Sequence, residues 1–209
     1  MIIDCISDLH GYYPKLEGGD LLIIAGDLTY KDKLEQHEEF CEWLDVQPYR
    51  KKVVISGNHD NNIDPDGINC LRNTVYLFDS VTEFHGLKIW GSPWTKTFPS
   101  MNPKYKAFTL DTEEELAEKW SLIPNDIDIL ITHSPAYGIL DKTITRERVG
   151  SKSLQMDLFQ RIRPKLFVCG HVHEGYGVNH NEGFLKNAIN VSHVNERYEP
   201  VNKPVRIVL

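Results

Sequence analysis

The chain has 209 residues, 41% of them hydrophobic and 25% charged, with a net charge of −7, which is the size and make-up of one domain spanning 1–209. The acidic balance disfavours a nucleic-acid polymer or an anionic membrane surface as partner. No run approaches the roughly 20 apolar residues that cross a bilayer, and Asp4 interrupts the start Met1-Ile2-Ile3-Asp4-Cys5-Ile6 where a secretory signal is apolar, so a cytoplasmic location is expected.

Short apolar runs predict buried strands at 2–6 and 21–25, followed by a helix over 33–44 and a further strand at 53–56. A more alternating set covers 74–78, 81–84 and 87–90, with Gly86 turning a hairpin between the last two. Next come a helix over 111–120, started by Asp111 or Thr112 ahead of Glu113, Glu114 and Glu115, a strand at 127–131, a helix over 151–163 and a strand at 166–169. Alternating strands at 189–191 and 205–208 complete the set. Two sheets packed face to face with helices outside would use every element. Residues 94–107 and 135–150 lack periodicity, and long loops in compact domains usually shape a site. The four cysteines, Cys5, Cys41, Cys70 and Cys169, lack paired zinc spacing; Cys5 and Cys169 sit in apolar runs, so free buried thiols are expected rather than disulfides.

Each buried run leads into a short block of chemistry: Asp8-Leu9-His10, Gly26-Asp27, Gly57-Asn58-His59-Asp60, Thr132-His133 and Gly170-His171-Val172-His173. Strand ends are fixed by a sheet while the loops beyond them carry side chains, which suits a reactive centre. Two carboxylates, four imidazoles and one amide fit a pair of Mn, Fe or Zn ions better than a Ca²⁺ cage, which is built from oxygen. In an extended segment residues two apart point the same way, so Asp8 and His10 can grip one ion, and His171 and His173 can act likewise or splay toward two. Gly26 lets the backbone close in, and the Asp27 carboxylate has an oxygen for each of two ions about 3.5–4 Å apart. Two divalent ions against two carboxylates leave roughly two positive charges, which suits a phosphate ester.

In their order, D-x-H, G-D, G-N-H-D, T-H-S-P and G-H-V-H resemble the calcineurin-like metallophosphoesterase superfamily. The segments Gly91-Ser92-Pro93-Trp94, Glu147-Arg148-Val149-Gly150, Ile162-Arg163-Pro164-Lys165 and His173-Glu174-Gly175-Tyr176-Gly177 are similar to its small brain metallophosphodiesterase group. The resemblance implies a four-layer α/β/β/α sandwich and a two-metal centre. It implies that Asp8, His10, Asp27 and His173 hold the first ion and Asp27, Asn58, His133 and His171 the second, and that His59 is a non-ligand histidine that protonates the leaving oxygen. Asn58 would help neutralise developing charge, and Asp60 would orient its loop. Two departures from relatives matter. Where the protein phosphatase branch has an Asp supporting the catalytic histidine, this chain has Tyr30, which counts against phosphoprotein phosphatase activity; and some brain relatives carry glycine where this chain has His171.

Outside the blocks, His37, His85, His180 and His193 read as surface or structural, and Trp43, Trp90 and Trp120 as core. Trp94 is a candidate for the site wall, Arg146 and Arg148 read as solvated loop cations, and Asn190 as a partner of loop backbone. The expected activity is hydrolysis of small phosphodiesters, cyclic nucleotides among them, with Mn²⁺ ahead of Fe or Zn. A phosphomonoesterase or protein phosphatase, a nuclease and a non-enzymatic scaffold of the same fold are the rivals.

Overall fold

The computed structural model describes residues 1–62, 74–99, 101–179, 185 and 187–209; Cys70 and His180 lie outside these. In chain order the elements begin β1 (Ile2–Ile6), β2 (Gly19–Ala25), α1 (Leu34–Asp45), β3 (Tyr49–Ile55), β4 (Thr74–Tyr76), β5 (Ser80–Phe84) and β6 (Leu87–Ser92). They continue β7 (Thr95–Lys96), β8 (Thr109–Leu110), α2 (Glu113–Ser121), β9 (Ile129–Thr132), α3 (Lys152–Asp157) and β10 (Leu166–Cys169). A 3₁₀ turn (His173–Gly175), β11 (Gly177–Asn179), β12 (Ala188–Asn190) and β13 (Val205–Val208) close the chain.

One sheet has the order β13-β1-β2-β3-β4 and the other β11-β12-β10-β9-β6-β5. The strands that lead to the chemical blocks run parallel to their neighbours, β1 with β2, β2 with β3 and β9 with β10. Their alternating residues separate three cores, as a two-residue period requires. Ile3, Cys5, Leu21, Ile23, Val53 and Ile55 meet Ile129, Ile131, Leu166 and Val168 between the sheets. The opposite faces meet helices: Leu22, Ile24 and Val54 pack against Phe40 and Leu44 of α1, while Leu130 and Phe167 pack against Leu116 and Trp120 of α2 and Leu154 of α3. Helix, sheet, sheet and helix give the expected four layers.

Local chemistry explains the helix ends. Thr112 and Glu115 form a reciprocal capping box, and Ser151 accepts from Leu154 N to cap α3. The helix expected over 151–163 loosens into a π-helical turn at Leu158–Ile162, which ends at Arg163 with φ +45. Arg161 there bonds the carbonyls of Trp120 and Ile123, tying this end to α2. The Phe84–Leu87 hairpin turns through His85 and Gly86, both at positive φ. The alternating strands do not form a sheet of their own: β4 and β13 flank the first sheet, whereas β5, β6 and β12 join the second. Cys5 and Cys169 are free and buried as expected, but Cys41 is disulfide-bonded, which corrects the expectation that disulfides are absent. No helix among the described residues is long and apolar enough to cross a membrane.

Candidate metal centre

The blocks leave the carboxyl ends of β1, β2, β3, β9 and β10 and converge, although the backbone there is not the extended chain expected from spacing. Asp8, His10, Asp27 and His171 have φ of +49, +44, +52 and +65, a region that non-glycine residues seldom occupy. The left-handed turns at Asp8 and His10 bring both side chains to the cluster while Leu9 between them is fully buried in the core under α1. Asp8 N donates to Gly26 O and His10 N to Asp27 O, so the first two blocks brace each other. Glycine is required where they meet. At Gly26 (φ +96) a Cβ would lie 2.6 Å from His133 Nδ1 and 2.7 Å from Ser56 O, and at Gly57 it would lie 2.6 Å from both Asp27 N and His133 Cε1.

The donor atoms form two neighbouring groups with Asp27 between them. On one side Asp8 Oδ1 is 3.3 Å from His173 Nε2, His173 Nε2 is 3.4 Å from His10 Nε2, and His10 Nε2 is 3.6 Å from Asp27 Oδ2. On the other, His133 Nε2 lies 3.4 Å from Asp27 Oδ1 and 3.3 Å from Asn58 Oδ1. Ligands about 2.1 Å from an ion have separations of this size, and among the described residues Asp8, His10 and His173, Asp8, Asp27 and His133, and also His10, Asp27 and His59, are grouped closely enough to share one. His171 stands beside the second group, its ring 5.1 Å from that of His133, with its N–H bonded to the Asp8 carboxylate. The rings are aimed by their other nitrogens: His133 Nδ1 bonds Ala25 O at 2.8 Å and His173 Nδ1 bonds Asn195 O at 3.1 Å, leaving each Nε2 toward the centre. His10 Nδ1 is buried without a hydrogen-bond partner among the described residues.

Electrostatics suit cation binding. Burial pushes His10 and His171 down to about 3, so both are neutral donors near pH 7. Burial opposes charge on Asp8 and Asp27, yet neighbouring histidines hold both carboxyls below the usual range. Burial also works against His133, but the adjacent Asp27 carboxylate lifts it to about 9. Anionic Asp8 and Asp27 beside neutral His10 and His171 form a donor set that fits a divalent ion, which His133 joins by giving up its proton.

His59 lies beside this cluster, its ring 4.6 Å from that of His10. Its Nδ1 is 3.3 Å from Tyr30 O. Tyr105 stacks on the His59 ring at 4.1 Å and 13°, and Tyr105 O accepts from Asn58 Nδ2. That bond turns Asn58 Oδ1 toward His133, which is the orientation of a ligand. Asp60 accepts from Gly57 N, Leu28 N and Thr29 N and is a positioning residue that joins two blocks. Burial and the Asp27 charge push its carboxyl well above the usual range.

Several contributors had no signal in the sequence. Ser7 and Ser192 hydroxyls donate to Asp8 Oδ2, leaving Oδ1 for the cluster. Asn195 anchors His173 through its carbonyl and also folds the 195–199 turn, where Tyr198 packs edge-on against His10 and His173. Asn190, read as a backbone partner, donates to the carbonyls of Gly170, Val172 and Leu140. Trp94 is corrected: it packs with Phe78, Phe108 and Lys119 and donates to Asp79, so it braces the sheet end and not the site. Arg148 is paired with buried Asp141 at 2.9 Å. His37 pairs with Asp32, and His193 bonds Asn202 O.

Known proteins are similar to this chain. The human "Metallophosphoesterase domain-containing protein 1" is 35% identical over 98% of this chain and 70% of its own length. The "UPF0046 protein T07D4.2" of Caenorhabditis elegans is 34% identical over 96% of this chain and 58% of its own length. The solved structure of TT1561 from Thermus thermophilus superposes with a TM-score of 0.59 at 16% identity, over 90% of this chain and 88% of that one, a likeness of fold alone. Residues 1–175 match the sequence model of the calcineurin-like phosphoesterases, and this chain belongs to that family as a metal-dependent hydrolase of phosphoric esters.

Proposed function

We propose that the protein is a phosphodiesterase of small diesters, cyclic nucleotides among them, working through two divalent ions, Mn²⁺ ahead of Fe or Zn. The observation that carries the reading is the two-sided Asp27 carboxylate, with Oδ2 on the His10 side and Oδ1 on the His133 side. Asp8, His10, Asp27 and His173 would hold one ion, and Asp27, Asn58, His133 and His171 the other. Bound ions of this kind supply Lewis acidity, which acidifies water and offsets charge on a phosphoryl oxygen.

The remaining work falls to the chain. With Nδ1 held at Tyr30 O, His59 is placed to donate a proton to the leaving oxygen through its other ring nitrogen. Tyr105 fixes the ring plane by stacking. A diester carries one anionic charge and a monoester up to two, and Arg148, which could meet the second, is committed to Asp141. Retention of every ligand type and of His59 favours an enzyme over a scaffold.

The test is hydrolysis of bis-p-nitrophenyl phosphate, p-nitrophenyl phosphate, 2′,3′- and 3′,5′-cyclic AMP and DNA by metal-stripped protein refilled with Mn²⁺. Metal-dependent turnover that favours the small diesters is expected. Preference for the monoester or for DNA, or no turnover with two ions bound, overturns the reading.

A further inference from the structure

Tyr30, Tyr198 and His10 come from three separate loops, and their rings meet nearly at right angles. Tyr198 and His10 have centroids 4.8 Å apart at 75°, Tyr30 and His10 6.1 Å at 78°, and Tyr30 and Tyr198 5.7 Å at 76°. Three mutually perpendicular rings make the corner of a box. His10 is its buried floor, and the two tyrosines, each 37% exposed, are walls that open to solvent. Tyr105 lies outside this corner, stacked on His59 at 4.1 Å, and the same imidazole stands near-parallel to Tyr30 at 6.5 Å and 25°.

The wall at Tyr198 is held at a conformational cost. Its φ is +61, and the turn that fixes it has Asn195 Oδ1 accepting from Arg197 N and Glu199 N while Asn195 O bonds His173. A ring needed only for packing would be buried, and one needed only for solubility would not require a left-handed backbone tied to a candidate ligand. Lys31 Nζ, 5.9 Å from the Tyr30 centroid, adds positive charge beside the other wall.

We infer that this corner is a base-stacking subsite, in which the planar base of a nucleotide lies against Tyr30 or Tyr198 while its phosphate is at the cluster. The inference rests on the phosphodiesterase reading for the phosphate chemistry and adds what is recognised beyond it. Stacking uses the face of a base and not its edge, so the subsite favours base-bearing over baseless esters and separates one base from another weakly.

The test compares equilibrium binding of AMP and ribose 5-phosphate, which share the phosphate and sugar, to the Mn²⁺-loaded chain. AMP is expected to bind about 10-fold tighter or better. Tyr198→Leu and Tyr30→Leu should each shrink that ratio, the double variant should bring it close to one, and Tyr198→Phe should keep it. Equal binding in the parent protein, binding of neither compound, or a ratio that survives the double variant overturns the subsite. Circular dichroism checks folding, and Tyr30→Leu alone carries the test if Tyr198→Leu unfolds. A binding ratio without hydrolysis of bis-p-nitrophenyl phosphate would sink the phosphodiesterase reading and leave the subsite standing; hydrolysis without the ratio would do the reverse.

Discussion

Gly26→Ala tests whether the centre depends on backbone closeness that only glycine permits. The position has φ +96, where an L side chain costs roughly 1–2 kcal/mol. The added Cβ would also lie 2.6 Å from His133 Nδ1, 2.7 Å from Ser56 O and 2.8 Å from Gly57 N, and overpacking of this kind costs about 1–3 kcal/mol. His133 is the neighbour able to move, and moving it breaks its 2.8 Å bond to Ala25 O, worth about 1 kcal/mol. The sum is about 3–6 kcal/mol, and at about 2–4 °C per kcal/mol for a domain of this size the midpoint should fall by roughly 10 °C. Since the displaced ring faces Asp27 Oδ1 and Asn58 Oδ1, bound metal should fall too. Thermal melting and metal content after dialysis against Mn²⁺ measure both. Gly86→Ala is the control: its φ is +75 and nothing lies within 4 Å of the added Cβ, so it should bear only the backbone cost and keep its metal. A Gly26→Ala protein with an unchanged midpoint and full metal would refute the reasoning.

Three further outcomes are expected. His59→Gln should keep the parent metal content and slow turnover of a diester with a poor leaving group by about 10²–10⁴-fold; loss of metal instead would make His59 a ligand. Ser192→Ala removes a hydroxyl from Asp8 Oδ2 and should weaken metal binding by about 10–100-fold in a chelator competition, whereas unaltered affinity would show that Asp8 needs no such support. In metal-free protein, His10 and His171 resist protonation down to about 3, while the unfolded chain takes up those protons near ~6.5. Stability should therefore fall between pH 6.5 and 5, by on the order of 2–4 kcal/mol for the pair. His133, raised to about 9, and His173 and Asp60, also raised, act in the opposite sense because the folded state holds their protons first, so they offset part of this fall. Urea midpoints at pH 7 and pH 5 read this directly, and a midpoint equal or higher at pH 5 would contradict it.

What could be read from the sequence was local. A buried strand declares itself in a run such as Leu21-Leu22-Ile23-Ile24-Ala25, and a metal ligand in a Gly-Asp or Gly-His that follows it. Sheet membership could not be read, because the alternation in Thr74–Tyr76 and Val205–Val208 states that one face is buried but not against which neighbour. The supports of the centre were hidden for a related reason. Ser7, Ser192 and Asn195 are ordinary polar residues, and Ser192 reaches Asp8 across 184 positions only because β12 runs beside β10 and the Ser7–Ser192 bridge joins the two sheets. Tyr198 gave no signal, since a turn rich in Asn, Glu and Arg reads as solvated surface until its ring is seen over His10.

The left-handed backbone explains how Asp8 and His10 come together although they do not lie in an extended segment. Asp8 and His10 meet not because alternate residues of a strand share a face, but because two turns lift them from the strand while Leu9 stays in the core. Four such residues at roughly 1–2 kcal/mol each amount to an appreciable part of the ~5–15 kcal/mol that holds a domain together. They persist because the sheet ends and the bonds between blocks over-determine the backbone. Asp and His, with Asn, are the non-glycine types that occupy this region most readily, which lowers the cost at all four positions. At φ +65 glycine is the easier residue, so His171 places an imidazole beside His133 at a backbone cost.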